Sequence, residues 1–216
     1  MTTDELEHLD AAEVLAHAAD RFQGRLAVAC SFQKEASVIL DLISKVAPEV
    51  RVFTLDTHVL FPETYETWKR VEERYGIEIE VHQGPSLGRQ AAEHGDRLWE
   101  RDPDACCEER KVRPLERALA GTDAWIAGVR RDQSPTRAAT PKLGWDAKHG
   151  LFKVAPLADW TDADVWRYIN EHDVPYNPLH DRGYAAIGCT HCTVPGAGRE
   201  GRWAGTGKTE CGLHAA

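Results

Sequence analysis

Five of the six cysteines are spaced for chemistry. Cys106 and Cys107 are adjacent, Cys189-Thr-His-Cys192 follows 82 positions later, and Cys211 stands five residues before the last residue. Four thiolates from two separate segments can enclose a metal centre, whereas a fifth on a glycine-rich stretch is free to move and react. A disulfide framework fits poorly in a chain of 216 residues, because such frameworks belong to small secreted domains, and adjacent cysteines bridge only through a strained peptide. The opening residues MTTDELEHLDAAEVLAHAAD carry neither the basic nor the apolar region of an export signal, so a reducing, cytoplasmic setting is expected. Cys30, inside the apolar run Leu26-Ala-Val-Ala-Cys30, reads as a thiol of the core.

Two kinds of centre could be held by Cys106, Cys107, Cys189 and Cys192. Structural zinc usually takes spaced pairs from both segments, and here one half is an adjacent pair. A cubane iron-sulfur cluster is larger, accepts thiolates from more varied directions and is the first expectation, with zinc second. Such a cluster is negatively charged, and the basic run Arg110-Lys111 with Arg113 could offset it from one helix; a solvated helix face is the alternative.

Polar motifs follow three apolar runs. Ser31-Phe-Gln-Lys-Glu-Ala-Ser37 follows the first, and Ser31 with the N–H groups of a helix start could hold a phosphate-like anion, or simply cap that helix. Leu55-Asp-Thr-His-Val-Leu-Phe-Pro-Glu-Thr-Tyr65 follows the second and reads as a loop whose Pro62 and Glu63 open a helix. Gly128-Val-Arg-Arg-Asp-Gln-Ser-Pro-Thr-Arg137 sets three arginines within eight residues. Guanidinium groups there suit bidentate binding of phosphate or sulfate oxygens, with solvated surface arginines as the alternative.

An alternating pattern of elements must position these motifs. Helical spacing covers residues 4–20, a short strand Leu26–Cys30, a helix Ala36–Val46, a strand Arg51–Leu55 and a helix Glu63–Tyr75 capped by Gly76. A strand Ile77–Val81, helices at 86–94 and 104–120 and a strand Trp125–Val129 follow. The fold class is therefore α/β, with a doubly wound, mainly parallel sheet whose ligands sit at the C-terminal strand ends. Residues 195–207 hold five glycines in thirteen residues, so the chain divides into an α/β unit, 1–194, and a mobile C-terminal tail, 195–216, bearing Cys211. A net charge of −9 argues against nucleic-acid binding. No apolar run is long enough to span a membrane.

Together, Cys106-Cys107 with Cys189-x-x-Cys192, the Ser31 loop, Leu55-Asp-Thr with Phe61-Pro-Glu-Thr-Tyr65, Gly128-x-Arg-Arg-x-Gln-Ser134, Pro175-Tyr-Asn-Pro-Leu-His180 and Glu210-Cys-Gly-Leu-His214 resemble the assimilatory adenylylsulfate (APS) reductases. The related 3′-phosphoadenylylsulfate (PAPS) reductases share much of the pattern, which spans roughly residues 25–214. The resemblance implies an adenine-nucleotide α-hydrolase-like fold of the ATP-pyrophosphatase type. It implies a [4Fe–4S] cluster on Cys106, Cys107, Cys189 and Cys192 that shapes the site electrostatically, and Lys111 between cluster and substrate. It also implies Cys211 as nucleophile, forming an S-sulfocysteine that thioredoxin resolves to release sulfite, and substrate contacts from Ser31, Phe32, Arg130, Arg137, Arg199, Arg202 and His214. APS is the expected substrate because the four cluster cysteines accompany APS use, with PAPS or dual use as the alternative. A homo-oligomer stays open.

Three departures from the pattern stand out. The glycine-rich SGGxDS loop of ATP pyrophosphatases is replaced by Ser31-Phe-Gln-Lys-Glu-Ala, His58 stands where glycine is common, and the stretch from Trp203 to Cys211 is short. Lys34 is a single candidate cation for an additional 3′-phosphate. Two other classes remain as rivals: a nucleotide-binding tRNA-modifying enzyme on the same fold type, and a zinc-stabilised binding module without chemistry.

Overall fold

The computed structural model describes residues 3–214. The chain runs α1 (Thr3–Leu6), α2 (Ala11–Arg21), β1 (Leu26–Cys30), α3 (Lys34–Val46), β2 (Arg51–Asp56), α4 (Pro62–Tyr75) and β3 (Glu80–Gln83). It continues through α5 (Leu87–His94), α6 (Leu98–Arg101), α7 (Pro103–Cys107), a π-helical turn (Glu108–Val112) and α8 (Arg113–Leu119) to β4 (Ala124–Ile126). The hairpin β5 (Leu143–Asp146) and β6 (Leu151–Val154) and the helix α9 (Asp162–His172) complete the regular elements. The six strands form one sheet in the order β3-β2-β1-β4-β6-β5, parallel except for β5 against β6.

Side-chain alternation sends each central strand into two cores. Leu26, Val28 and Cys30 of β1 and Ala124 and Ile126 of β4 join one apolar cluster with α2, α3 and α9. Ala27 and Trp125 point the other way, into a second cluster with Leu115, Ala118 and Leu119 of α8. Burial on both faces is why these strands read as continuous apolar runs. Each fully buried side chain such as Ile39 or Leu115 contributes about 1.5–3 kcal/mol.

Five expectations are corrected, the first being that the strand expected at Trp125–Val129 lies at Ala124–Ile126. The helix expected over 4–20 breaks after Leu6, because Asp10 and Glu13 form a reciprocal capping box that starts α2 afresh. The strand expected at Ile77–Val81 lies at Glu80–Gln83, since Ile79 is spent in the core beneath the preceding loop. The helix expected over 104–120 is interrupted by the π turn at Glu108–Val112. Pro114, with no N–H to offer Arg110, is the physical reason that the regular ladder widens there. Ser31 does not cap α3: the helix starts at Lys34 behind Gln33, whose side chain makes no capping bond. The strands β5 and β6 and the helix α9 were not foreseen; β5 and β6 are only four residues each.

Candidate active site

The chain order β1-β2-β3 runs outward on one side and β4 starts the other, so the switch point lies at the C-terminal ends of β1, β2 and β4. A cavity of about 440 Å³ opens there, lined by the loops after those strands and by the tail. Ser31, Phe32, Arg130, Arg137, Lys111, Arg199, Arg202, Cys211 and His214 all face it. Phe32 enters with φ +55°, a left-handed backbone that is strained for a bulky residue, and is held there by a stacked contact with Trp68 at 5.3 Å. Gly128, at the end of β4, has no room for a side chain: a Cβ would stand 2.9 Å from Glu35 Cβ.

The arginines are in different states. Arg130 is surrounded, with Nε to Glu35 at 3.1 Å, one terminal nitrogen to Asp132 at 2.5 Å and the other to Asp162 at 3.0 Å. Arg137 grips Glu210 through two bonds of 3.1 and 2.9 Å, and Arg199 meets the same carboxylate at 2.9 Å. Arg202 gives one nitrogen to the Ile187 carbonyl at 3.2 Å, while its Nε and second terminal nitrogen are buried without a partner.

The glycine-rich tail is folded in. Gly212 takes φ +81°, and a Cβ there would reach Val112 at 3.4 Å, so a glycine turns the chain beside Cys211 against the π turn. Leu213 packs on the second core, and His214 stacks on Trp125 at 5.4 Å. His214 Nδ1 accepts from Lys153 at 3.0 Å. Burial, then the nearby Lys153 and Arg137 charges, holds His214 well below the ordinary imidazole range, so it is neutral and can accept. Burial brings Lys153 itself down to about 8, against the pull of Asp146.

Cys106, Cys107, Cys189 and Cys192 line a second, smaller chamber. The first pair is carried by the last turn of α7 and the second by a short 3₁₀ turn at Thr190–Cys192. Backbone bonds tie that turn down: Thr190 N–H donates to Val59 at 2.9 Å and Trp203 N–H to Cys192 at 2.9 Å. Cys189 Sγ lies 3.3 Å from Thr57 Oγ1. Burial raises the Cys106 and Cys107 thiols and takes Cys192 up to about 11. For Cys189, burial is outweighed by the Lys111 charge and the Thr57 hydroxyl, and its pKa falls. Lys111 lines both the chamber and the cavity, and its burial is outweighed by Cys189 so that it stays charged.

The donor set suits a soft metal centre, whose complex with thiolates carries negative charge. Four thiols face one chamber, while among the described residues no group of three or more His, Cys, Asp or Glu side chains is arranged to hold a metal ion. Arg110, only 1% exposed, lends its guanidinium to Gln90, Thr57 and Pro85 but leaves one terminal nitrogen without a partner, as does the Trp203 indole N–H. Both residues line the chamber. Buried donors of this kind are expected to meet an acceptor.

Sequence reasoning missed the counter-charges. Glu210, beside Cys211, and Asp162, at the start of an unforeseen helix, carry no motif that announces an ion pair. Lys34 is now located: its ammonium pairs with Asp162 and lies 5.1 Å from the Trp166 ring centre. His58 adopts φ +60°, the conformation glycine reaches freely, and is held by its N–H donating to Asp56 at 2.8 Å. Cys30 is buried as expected, its thiol pushed up to about 12 by burial.

Comparison with known proteins gives a consistent picture. The model of the phosphoadenosine phosphosulfate reductase domain matches residues 25–195. The chain is 50% identical over 210 residues to the adenosine 5′-phosphosulfate reductase of Lysinibacillus sphaericus, covering 94% of this chain and 90% of that one. It is 47% identical to the enzyme of the same name from Salinibacter ruber, covering 93% and 82%. Among solved structures it is similar to the phosphoadenylyl-sulfate reductase of Candida auris in its phosphate complex, with a TM-score of 0.80, 35% identity and coverage of 89% and 94%. A U34-tRNA thiolase from Methanococcus maripaludis with its [4Fe–4S] cluster shares the fold alone, at a TM-score of 0.53, 16% identity and coverage of 77% and 64%. No helix among the described residues is long and apolar enough to cross a membrane.

Proposed function

The chain belongs to the phosphoadenosine phosphosulfate reductase family and is an oxidoreductase acting on a sulfur group; on that premise we propose that it reduces APS to sulfite and AMP with electrons from thioredoxin. The observation that carries this reading is the meeting of Cys211 with Lys111, Arg137, Arg199 and Arg202 around one cavity at the switch point of the sheet. The family relatives named as adenosine 5′-phosphosulfate reductases support APS as the substrate.

The chemistry follows from those groups. The Cys211 thiolate attacks the sulfur of the sulfate, an S–S bond forms, and the S–O bond to the phosphate breaks with its electron pair leaving on AMP. Arginines stabilise the departing phosphate, and Lys111 and Arg202 face the sulfate oxygens. A thiol of reduced thioredoxin then attacks Cys211 Sγ, releasing sulfite, and its second thiol resolves the mixed disulfide; two electrons pass from the dithiol to sulfur. The docked tail places Cys211 over the cavity, and its release offers the modified cysteine to thioredoxin.

Cys106, Cys107, Cys189 and Cys192 would hold a [4Fe–4S] cluster in the second chamber. Bound there, the cluster would supply a negative field beside the substrate. Arg110 and the Trp203 N–H would neutralise and orient it, and Lys111 would stand between it and the sulfate.

Anaerobically purified protein tests this reading. Iron and acid-labile sulfide in equal amounts, sulfite release from APS with reduced thioredoxin, and a sulfite-mass adduct on the Cys211 peptide without reductant are expected. Zinc in place of iron would remove the cluster. Absence of the adduct during turnover would remove the intermediate.

A further inference from the structure

The large cavity is electrically polarised. Around Cys211 its charged walls are Lys111, Arg137, Arg199 and Arg202, with Arg137 and Arg199 sharing the single carboxylate of Glu210. At the other end, Lys34 and Arg130 face Glu35, Asp132 and Asp162, so two cations meet three carboxylates. Gln133 stands between the ends, its Oε1 accepting from Arg137 at 2.5 Å and its Nε2 donating to Glu35 at 3.3 Å.

Exposure sharpens the asymmetry. The side chains of Lys34 and Arg130 are 5% and 4% exposed, whereas those of Asp132 and Asp162 are 40% and 53% exposed. The cations lie underneath with Glu35, and Asp132 and Asp162 lie on top. Asp162 is the link between them, because it receives both the Lys34 ammonium and an Arg130 terminal nitrogen. Its own N–H, in the first turn of α9, donates to Asp132 at 3.1 Å.

A substrate attacked by Cys211 must put its sulfate at the positive end. Its nucleoside then reaches towards the end where carboxylates outnumber cations. We propose that Asp162 is a specificity-determining residue: by neutralising Lys34 and Arg130 it presents carboxylate oxygens that accept from ribose hydroxyls and repel a ribose bearing an additional phosphate. The logic is that of dinucleotide sites, where an acidic residue takes a free ribose hydroxyl and a basic one accommodates its phosphate. It also uses repulsion against the wrong partner as the discriminating element. The inference rests on the APS reading above and adds the residue that excludes PAPS.

The test uses the product nucleotides, so it needs neither turnover nor thioredoxin. AMP and adenosine 3′,5′-bisphosphate are titrated by calorimetry into the wild-type protein, Asp162→Asn and Asp132→Asn, each shown to be folded by its melting transition. Wild type is expected to prefer AMP by at least about tenfold, and Asp162→Asn to shrink that preference about tenfold, chiefly by tightening the bisphosphate. Asp132→Asn should move it in the same direction by less, since Asp132 pairs with Arg130 alone. The gain should weaken with salt and vanish in Asp162→Asn/Lys34→Met, a response that simple loosening of α9 would not produce. AMP binding with an unchanged preference in the folded variants overturns this inference alone, as does a wild type that binds the bisphosphate as tightly as AMP. Failure of the wild type to bind either nucleotide overturns the functional reading and this inference with it.

Discussion

The cysteine chamber and the arginine cradle beside it treat positive charge in opposite ways. In the chamber, Arg110 and the Trp203 indole keep buried donors without partners. In the cradle, Arg137 and Arg199 are satisfied by Glu210 from the chain's own tail, and Arg202 keeps two buried nitrogens without a partner. An unpaired buried cation is strongly destabilising, so a site built that way suits an anion that stays bound. A cradle with its own carboxylate can instead stand without a ligand, which suits an anion that arrives and leaves. The contrast fits the resident group and the substrate proposed for the two regions.

The largest effects should come from the two kinds of cysteine. Cys211→Ser should lower sulfite release by at least about 10³-fold while iron content stays at the wild-type level. Cys107→Ser should lose the iron itself, measured by metal analysis, and activity with it. If Cys211→Ser also stripped iron, the two regions would not be separable. Within the chamber, Arg110→Met should weaken iron retention about 10–100-fold against a chelator, the usual effect of removing an outer partner of a metal group. Unchanged retention would mean that its unpartnered nitrogen faces nothing that matters.

Glu210→Gln probes the cradle at smaller amplitude. The carboxylate competes with an incoming phosphate for Arg137 and Arg199, so the amide should tighten AMP binding about three- to tenfold in a titration. It should also free the tail, with faster trypsin cleavage after Lys208, whose side chain is anchored on Asp104. Unchanged AMP affinity with a fall in turnover would make Glu210 a clamp for the closed tail and not a stand-in for the substrate.

Much of this was legible in the sequence, and the exceptions share a cause. β1, β2 and β4 were readable because burial on both faces leaves uninterrupted apolar runs, and all nine expected residues line one cavity because strand ends converge in a parallel sheet and the π turn and the tail close over them. The four chamber cysteines were grouped by spacing and chemistry before any geometry. Glu210 and Asp162 were not, because a carboxylate's partner lies far along the chain: Glu210 meets Arg137 across 73 positions and Asp162 meets Lys34 across 128. The π turn at Glu108–Val112 was hidden for the opposite reason. Its residues have ordinary helical character, and only the placement of Pro114 betrays the widened ladder.

Cys30 belongs to neither region and gives the smallest predicted effect. It lies in β1 within the first core, so Cys30→Ala should leave iron content and sulfite release unchanged and reduce stability by about 1 kcal/mol through lost packing. Burial raises its pKa from 9.0 to about 12, which means that the folded state holds the proton more tightly than the unfolded state. Its contribution to stability is therefore fully present below pH 9 and is lost as pH rises from 9 towards 12. Denaturant melts of wild type and Cys30→Ala should converge as pH rises above 9.0 and then cross, with the wild type becoming the less stable. A wild-type advantage that instead persisted or grew above pH 9.0 would show Cys30 ionising in the folded protein, and the proposed division of the six cysteines into four that hold, one that reacts and one that packs would fail.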